Sequence, residues 1–296
     1  MKQFLSTVWR GMLMGLAEVV PGVSGGTIAL LTGIYPRLIG ALASFGPQSL
    51  GLLGQPRAFF AQHDILFLLM LGVGMGLGVL SFASLMDFLL ATYAPPVWGF
   101  FSGVILLTAI TIGGRLANPS RWWLIGIGLV AGTSMAFLPI QQTEPTMAVF
   151  FFAGAIAICA WILPAVSGSY LLLVLGLYPA VMSAISSLQL DVLVVFAAGC
   201  ALGLSAFVRL LRFLLDKHHD VLMSVLVGFM LGSLINLWPW QLPEAANRLQ
   251  AIQWPQQYGA EPMLLMVLIC FALGGLAVWM LQRYAATQPA AVTQSP

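Results

Sequence analysis

Long apolar runs, separated by short polar segments, dominate the chain. A helix needs about 20 apolar residues to cross a bilayer, and several runs reach or approach that length. They span residues 65–86, 97–112, 122–138, 192–208, 221–240 and 263–281. Two further apolar regions, 11–43 and 147–185, are interrupted by Gly, Ser and Pro. The pattern predicts a bundle of membrane helices with two broken segments.

The scarcity of charge supports this prediction. Of 296 residues, 60% are hydrophobic and 7% are charged, whereas soluble domains carry about 25% charged residues. The chain therefore has too few charges to build a surface that faces water. Its net charge of +2 is also far from the basic stripe that nucleic-acid binding requires, so we expect no nucleic-acid partner.

The two broken segments carry the same motif. The run PGVSGGTIALLTGIYP begins at Pro21, and the run PAVSGSYLLLVLGLYP begins at Pro164, 143 residues later. An Asp and a glycine-rich apolar run follow each motif: Asp64 with Gly72 and Gly76, and Asp191 with Gly199 and Gly203. Such internal duplication is common in secondary transporters. We therefore divide the chain into two membrane repeats, 1–140 and 141–285, and a polar tail, 286–296.

The apolar run after each Ser-Gly pair is short. As a helix, residues 28–34 would rise about 10 Å, a third of the hydrocarbon core. Each broken segment therefore predicts a re-entrant hairpin, which is tolerated only where protein or a water-filled cavity surrounds it. The predicted fold is an all-α polytopic membrane protein of two inverted repeats, each a re-entrant helical hairpin plus three transmembrane helices. Residues 147–163 are long enough that a full crossing there remains an alternative.

The distribution of basic residues predicts the orientation. A hairpin returns the chain to the side it came from, so three crossings in each half invert the second half. With the N-terminus in the cytoplasm, only Arg248 falls outside, which is a strong positive-inside bias. The residues inside are Lys2, Arg10, Arg37, Arg57, Arg115, Arg121, Arg209, Arg212, Lys217 and Arg283. We therefore predict that both termini are cytoplasmic.

The repeated motif also predicts an anion site. A half-helix that begins inside the membrane directs free N–H groups and a positive dipole end at whatever lies there, and anions bind such ends. Two facing ends would form a cradle for a phosphate or carboxylate; the alternative is a structural kink in which the serines cap their own helices. The predicted ligand-binding residues are Ser24, Gly25, Gly26 and Thr27, with Ser167, Gly168, Ser169 and Tyr170. The residues that shape the motif are Pro21, Gly22, Gly33, Tyr35, Pro164, Gly176 and Tyr178.

Two charged residues lie beside the first motif. Glu18 interrupts an apolar run, and carboxylates at such positions are costly and usually functional. Its counterpart in the second repeat is Trp161. We predict that Glu18 binds a coupling proton or cation, with a structural hydrogen bond as the alternative. Arg37 is predicted to pair with the substrate phosphate or with Glu18, or else to be a cytoplasmic anchor.

Metal and nucleotide chemistry find no support. Cys159, Cys200 and Cys270 lie far apart in apolar runs without an accompanying His, so metal-binding spacing is absent. His63 is expected to be solvated at a cytoplasmic end. The glycine-rich run 72–78 contains no Lys and follows no strand, so it predicts helix packing rather than a phosphate loop. We therefore predict no metal and no cofactor.

The motifs resemble those of a known family. The run GLAEVVPGVSGGTIA around Glu18, the following LTGIY, and ILPAVSGSY around Pro164 are similar to the bacterial domain-of-unknown-function 368 family over nearly the whole chain. That family includes polyprenyl-phosphate transporters, which return undecaprenyl phosphate from the outer to the inner leaflet. The resemblance implies a lipid-carrier flippase of the bacterial cytoplasmic (inner) membrane that serves cell-envelope synthesis. Ala165 departs from the family pattern, because a Gly is usual there.

The undecaprenyl pyrophosphate phosphatases are similar as well, with inverted repeats and a Pro-Gly-x-Ser element. Their chemistry uses additional Glu, His and Arg residues beside the serines, and the three residues after Ser24 and after Ser167 include no His or Arg here. A cradle without an acid/base partner should bind phosphate without cleaving it. We therefore expect a non-enzymatic transporter whose partner is a polyprenyl phosphate lipid. A carrier of a small soluble anion is the main alternative, and a lipid-phosphate hydrolase is less favoured.

Overall fold

Helices form nearly all of the regular structure. The computed structural model describes residues 2–20, 24–52, 54–116, 122–138, 144–242 and 248–287. Within these ranges there is no strand, only an isolated antiparallel bridge between Gln241 and Ile252. The helices are α1 (Lys2–Val19), α2 (Gly25–Leu31), α3 (Tyr35–Ala43), α4 (Pro56–Gln62), α5 (Ile65–Gly113), α6 (Trp122–Ser134), α7 (Met147–Ile162), α8 (Gly168–Val174), α9 (Tyr178–Ser186), α10 (Leu190–Lys217), α11 (His219–Ser233), α12 (Arg248–Ala251) and α13 (Leu264–Thr287).

The protein is an all-α, multi-pass membrane protein, as predicted. Among the described residues, four helices are long and apolar enough to cross a bilayer, with α5 counted once, and two bent helix pairs are each a broken crossing or a re-entrant loop. Large apolar side chains on these helices face outward; Leu80 is 82% exposed and Leu265 is 73% exposed. Such surfaces suit lipid rather than water.

Helix α5 contains two predicted crossings. As one straight helix its 49 residues would extend about 74 Å, more than twice the hydrocarbon thickness. The backbone leaves helical geometry at Tyr93, and Pro95 and Pro96 follow. Proline removes a helical donor and clashes with the preceding turn, so the break falls where the sequence demands it. We treat 65–92 and 94–113 as separate crossings.

The two bent pairs are the short helices of the repeated motif. Helix α3 turns away from α2 by 117°, and α9 turns away from α8 by 112°. Gly33 and Gly176 lie at these turns with φ of 73° and 72°, in the left-handed region that favours glycine. Each allows a Schellman cap: the N–H of Ile34 donates to the carbonyl of Ala29, and the N–H of Leu177 donates to that of Leu172.

Glycines also set the packing of the long helices. In α1 and the first part of α5, Gly11 contacts Leu71 and Gly15 contacts Met75, so these two helices run parallel. The same reasoning shows that α7 is parallel to α10, α6 to α11, and the second part of α5 to α13. The contacts are Phe151–Gly199 and Ala155–Gly203, Ile125–Gly228 and Leu129–Gly232, and Gly99–Val267 and Gly103–Phe271.

These directions bear on the predicted inverted repeats. If α5 reverses direction at Tyr93 and the following crossings alternate, α6 runs in the same direction as the first part of α5. Helix α11, which is parallel to α6, then does so too, and α10, which precedes α11, runs in the opposite direction. That relation is the one an inverted duplication needs. The inverted repeats themselves, the sides of the membrane and the boundary between residues 140 and 141 stay predictions.

One detail of the sequence alignment between repeats was wrong. Gly72 and Gly76 were matched with Gly199 and Gly203, but both have open space beside them. Gly199 and Gly203 contact α7, and the corresponding contacts in the first repeat are made with α1. There Gly74 contacts Val8 and Gly78 contacts Met12. Glycine occupies every second position of this stretch, so sequence alone gives no reason to prefer one face.

The structure also defines where the predicted segment 147–163 ends and where the predicted tail 286–296 begins. Residues 147–162 form one helix, α7, which ends at a bend before Ser167. Helix α13 continues through Thr287, two residues into the predicted polar tail, because Ala285 and Ala286 are good helix formers. The rest of the tail, together with Pro21, Gly22 and Arg121, lies outside the described residues.

Candidate functional site

Ser24 begins the first motif helix and caps it. Its backbone is extended, and its Oγ accepts a hydrogen bond from the N–H of Gly26 (3.0 Å). The N–H of Gly25 donates to Oε1 of Glu18 (2.6 Å), and that of Thr27 donates to the carbonyl of Ser24 (2.9 Å). All three leading N–H groups of α2 are therefore satisfied within the chain. Ser24 and Thr27 are fully buried.

Glu18 thus occupies the position that an anion would take at this helix end. The helix dipole favours negative charge there, and so does the N–H of Gly25, which has no partner within its own helix. The carboxylate of Glu18 supplies that charge. The side chain of Trp161, the repeat counterpart of Glu18, also interacts with this carboxylate. Gly15 of α1 lies against Met75 of α5, and Glu18 is about one turn further along α1. Because the two helices are parallel, Glu18 lies level with about the middle of residues 65–92.

The first motif is closed against the second. The Oγ of Ser24 donates to the carbonyl of Trp161 (3.2 Å), and the N–H of Ala165 donates to Oγ1 of Thr27 (2.8 Å). A Cβ at Gly26 would lie 2.5 Å from the carbonyl oxygen of Ile162. In this conformation the first helix end packs against residues 161–165, which precede the second helix end, with no room for a phosphate between Gly26 and Ile162.

The second motif is more open. Ser167 caps α8 by accepting from the N–H of Tyr170 (3.3 Å), and its Oγ lies 2.9 Å from that of Ser169. Ser169 is exposed, whereas Gly168 is buried against the carbonyl of Ala157. Ser24 and Ser167 thus cap their own helices, as the structural alternative predicted, and the second motif also lines a cavity. Phosphate binding by either motif stays a prediction.

Ala165 has a left-handed backbone, with φ of 61°. L-residues with a side chain seldom adopt this conformation, whereas glycine does so freely. The usual Gly at this position of the motif therefore has a conformational explanation. In this chain, the hydrogen bond from Ala165 to Thr27 helps to hold the strained turn.

A small cavity adjoins the second motif. Its volume is about 20 Å³, and it is lined by Met135, Ala165, Val166, Ser167, Tyr170, Phe229 and Asn236. The hydroxyl of Tyr170 donates to the carbonyl of Met135 at its edge (3.2 Å). Asn236 was missed by sequence reasoning, although it is the one amide within the apolar run 221–240.

Arg37 pairs with Asp64 rather than with Glu18. Its guanidinium makes two hydrogen bonds to the carboxylate (2.6 and 3.0 Å) and lies over the ring of Phe67, 4.2 Å from its centroid. The prediction of a pair with Glu18 is therefore wrong for this conformation. Asp64 is the nearer partner, because it immediately precedes α5 at a point next to α3, the helix that carries Arg37. Phosphate binding by Arg37 stays a prediction.

Exchanging Arg37 for Gln, or Asp64 for Asn, should have equal and modest effects. The pair is partly exposed, at 41% and 35%, so we expect a loss of about 1 kcal/mol or less in the free energy of unfolding from either change. Unfolding in detergent and lipid flipping in vesicles would both be measured. A flipping defect in R37Q about tenfold beyond that in D64N would instead support direct phosphate binding by Arg37.

His63 is buried, which contradicts the expected solvation. It is 0% exposed and stacks on Phe45, with ring centroids 4.4 Å apart. Its Nδ1 lies 2.7 Å from the Oγ of Ser44. The rings of Phe45 and Phe59 both pack against the imidazole, a contact that charge patterning alone does not reveal. Among the described residues, no three His, Cys, Asp or Glu side chains cluster to hold a metal ion.

The comparisons with known proteins agree on one family. The family model described as undecaprenyl phosphate translocase-like matches residues 14–253. A polyprenyl-phosphate transporter of Vibrio cholerae is 40% identical over 247 residues, which cover 80% of this chain and 79% of that protein. A polyprenyl-phosphate transporter of Staphylococcus aureus is 29% identical over 252 residues, covering 78% and 85%. The search of solved structures gave no match. With its two Ser-Gly motifs set into an all-helical bundle, the chain belongs to the undecaprenyl phosphate translocase-like family.

Proposed function

We propose that this protein flips undecaprenyl phosphate, or a closely related polyprenyl phosphate, across the bacterial cytoplasmic membrane. The observation that carries the proposal is the opening of the second Ser-Gly motif into a cavity, next to a first motif of similar sequence. Both are embedded in a bundle whose outer surface is apolar. The names of the relatives supply the substrate class, and the flipped lipid would return to the cytoplasmic leaflet for cell-envelope synthesis.

The head group would first meet the second motif. Ser167, Ser169 and Tyr170 offer hydroxyl groups there, and the glycine at 168 brings the backbone close. The prenyl tail would remain in the bilayer along the exposed apolar faces of the long helices, so that only the charged phosphate needs a polar path. This division removes the largest cost of crossing, which is the transfer of an unpaired charge into hydrocarbon.

The first motif would receive the phosphate only after Glu18 leaves. The carboxylate holds the N–H of Gly25, and two anions at one helix end repel each other. Protonation of Glu18 removes the repulsion and releases the N–H for the phosphate. We propose that proton uptake and head-group transfer are coupled in this way, while one repeat rocks against the other.

We also propose that the phosphate is carried and not hydrolysed. The described partners of the Ser24 hydroxyl are the carbonyl of Trp161 and the N–H of Gly26. Those of Ser167 are Ser169 and Tyr170. None of these groups is a base that would take a hydroxyl proton and so activate a nucleophile.

Replacing Ser24 and Ser167 by Ala together should abolish most lipid exchange. A hydrogen bond to a charged group contributes about 1.5–3 kcal/mol, so losing one such bond should slow the initial rate by about tenfold or more. The measurement follows a short-chain labelled polyprenyl phosphate as it leaves one leaflet of a proteoliposome, beside empty vesicles.

A thermal unfolding curve for each variant separates lost binding from lost folding, because both serines cap helices. Ser186→Ala is a matched control, since Ser186 is exposed and bonds only to its own helix carbonyl at Ser183. Exchange no faster than in empty vesicles for the wild-type protein, with and without an imposed gradient, would overturn the proposal and favour a soluble-anion carrier. Phosphate released from undecaprenyl pyrophosphate would favour a hydrolase.

A further inference from the structure

Asn236 presents an unusual buried polar atom. Its Oδ1 is buried and has no hydrogen-bond partner among the described residues. A buried amide without a partner costs free energy, so such groups in native proteins call for a bound ligand, a water or a functional role. The side chain lines the cavity that also contains Ser167 and Tyr170. The cavity has room for about one water molecule.

The backbone around Asn236 is held on both sides. The carbonyl of Asn236 accepts from Nε2 of Gln241 (3.0 Å), and that of Leu237 accepts from the Oγ of Ser102 (3.0 Å). These bonds hold the turn that follows α11. The backbone of Asn236 is therefore fixed beside the cavity, whereas its side-chain Oδ1 has no partner among the described residues.

We propose that Asn236 is a head-group ligand that receives the phosphate of the polyprenyl lipid at the second motif when the two repeats move apart and widen this one-water cavity. This inference rests on the proposed function and adds a residue to it. A half-turn of the amide exchanges its oxygen and nitrogen with almost no change of shape, and it then donates N–H to a phosphate oxygen. The hydroxyl of Ser167, which lines the same cavity, is a second donor.

The position of the cavity assigns it to the outer side of the membrane in the proposed orientation. Met135 and Asn236 follow the ends of α6 and α11, which run parallel, so both ends lie at the same side. Counting crossings from a cytoplasmic N-terminus puts that side outside. Asn236 would then meet the lipid before it is flipped inward, ahead of Glu18 and the first motif.

The test compares phosphate binding by wild-type protein, Asn236→Leu and Asn236→Asp. Leucine keeps the approximate shape without polar atoms, and aspartate adds a negative charge that repels phosphate. Equilibrium binding of labelled farnesyl phosphate to the purified protein should weaken about tenfold in N236L and further in N236D. Binding of farnesol, which has no phosphate, should not change. Ser233→Ala, three residues earlier and bonded to its own helix, is the matched control.

The outcomes separate this inference from the function on which it rests. If the wild-type protein flips lipid and both variants bind farnesyl phosphate as tightly as it does, Asn236 holds only a structural water and the inference fails. If the wild-type protein flips no lipid, the proposed function fails whatever the binding shows. Inorganic phosphate that competes as tightly as farnesyl phosphate would identify a free anion as the ligand and overturn the lipid assignment. A variant is compared with the wild-type protein only if its thermal unfolding is unchanged. If N236L does not fold, N236D alone provides the test.

Discussion

Flipping by the Glu18→Gln variant is expected to lose its dependence on an imposed proton gradient. Glutamine is neutral, as protonated Glu18 would be, and cannot bind or release a proton. Its oxygen still caps α2 at the N–H of Gly25, but it accepts more weakly than a carboxylate does, so a phosphate can displace it. The phosphate would then enter the first motif without waiting for protonation. The measurement is the initial rate of polyprenyl phosphate exchange in vesicles, with and without a gradient, over a series of pH values.

The substrate titrates in the same range, because the second ionisation of a phosphate monoester lies near pH 6. The ratio of the variant rate to the wild-type rate cancels this contribution, since both proteins meet the same lipid. Asp87→Asn is the matched control: it removes an exposed carboxylate from the same repeat, and its gradient dependence should equal that of the wild-type protein.

A gradient dependence in E18Q equal to that of the wild-type protein would remove Glu18 from the coupling mechanism and leave it as a cap for α2. Glu18→Ala separates the two roles further. It leaves the N–H of Gly25 without a partner, which costs about 1–3 kcal/mol. A loss of stability in E18A that E18Q does not share would measure the capping role alone.

Much of the fold could be predicted because it follows from local rules. The length of the apolar runs predicted the membrane helices, and the gap between the runs 65–86 and 97–112 predicted the interruption of α5. The repetition of Ser-Gly and of Gly33 and Gly176 predicted where the short helices begin and turn. Each of these features depends on residues close together in sequence, so a single chain is enough to identify it.

The parts that could not be predicted depend on which residues meet across the bundle. Sequence alone did not reveal that Glu18 already occupies the first anion site, or that Arg37 is held by Asp64. It also did not identify Asn236, because a lone amide in an apolar helix carries no motif. The meeting of Gly26 with Ile162 joins residues from different repeats, and no local pattern reports that contact.

That contact leads to the second prediction: Gly26→Ala should destabilise the protein and stop transport. The added Cβ would lie 2.5 Å from the carbonyl oxygen of Ile162, and backbone cannot move aside as a flexible side chain can. Overpacking of a buried site costs about 1–3 kcal/mol. The strain would push the two motifs apart at the bonds from Ser24 to Trp161 and from Ala165 to Thr27. Unfolding in detergent and lipid exchange in vesicles should both show the loss.

Gly40→Ala provides the opposite expectation on a neighbouring helix. Gly40 lies within α3, and a Cβ there would meet nothing within 4 Å. Alanine should therefore stabilise the helix, by up to about 1 kcal/mol, and leave exchange unchanged. Wild-type stability in G26A would mean that the two motifs are not packed together in the membrane.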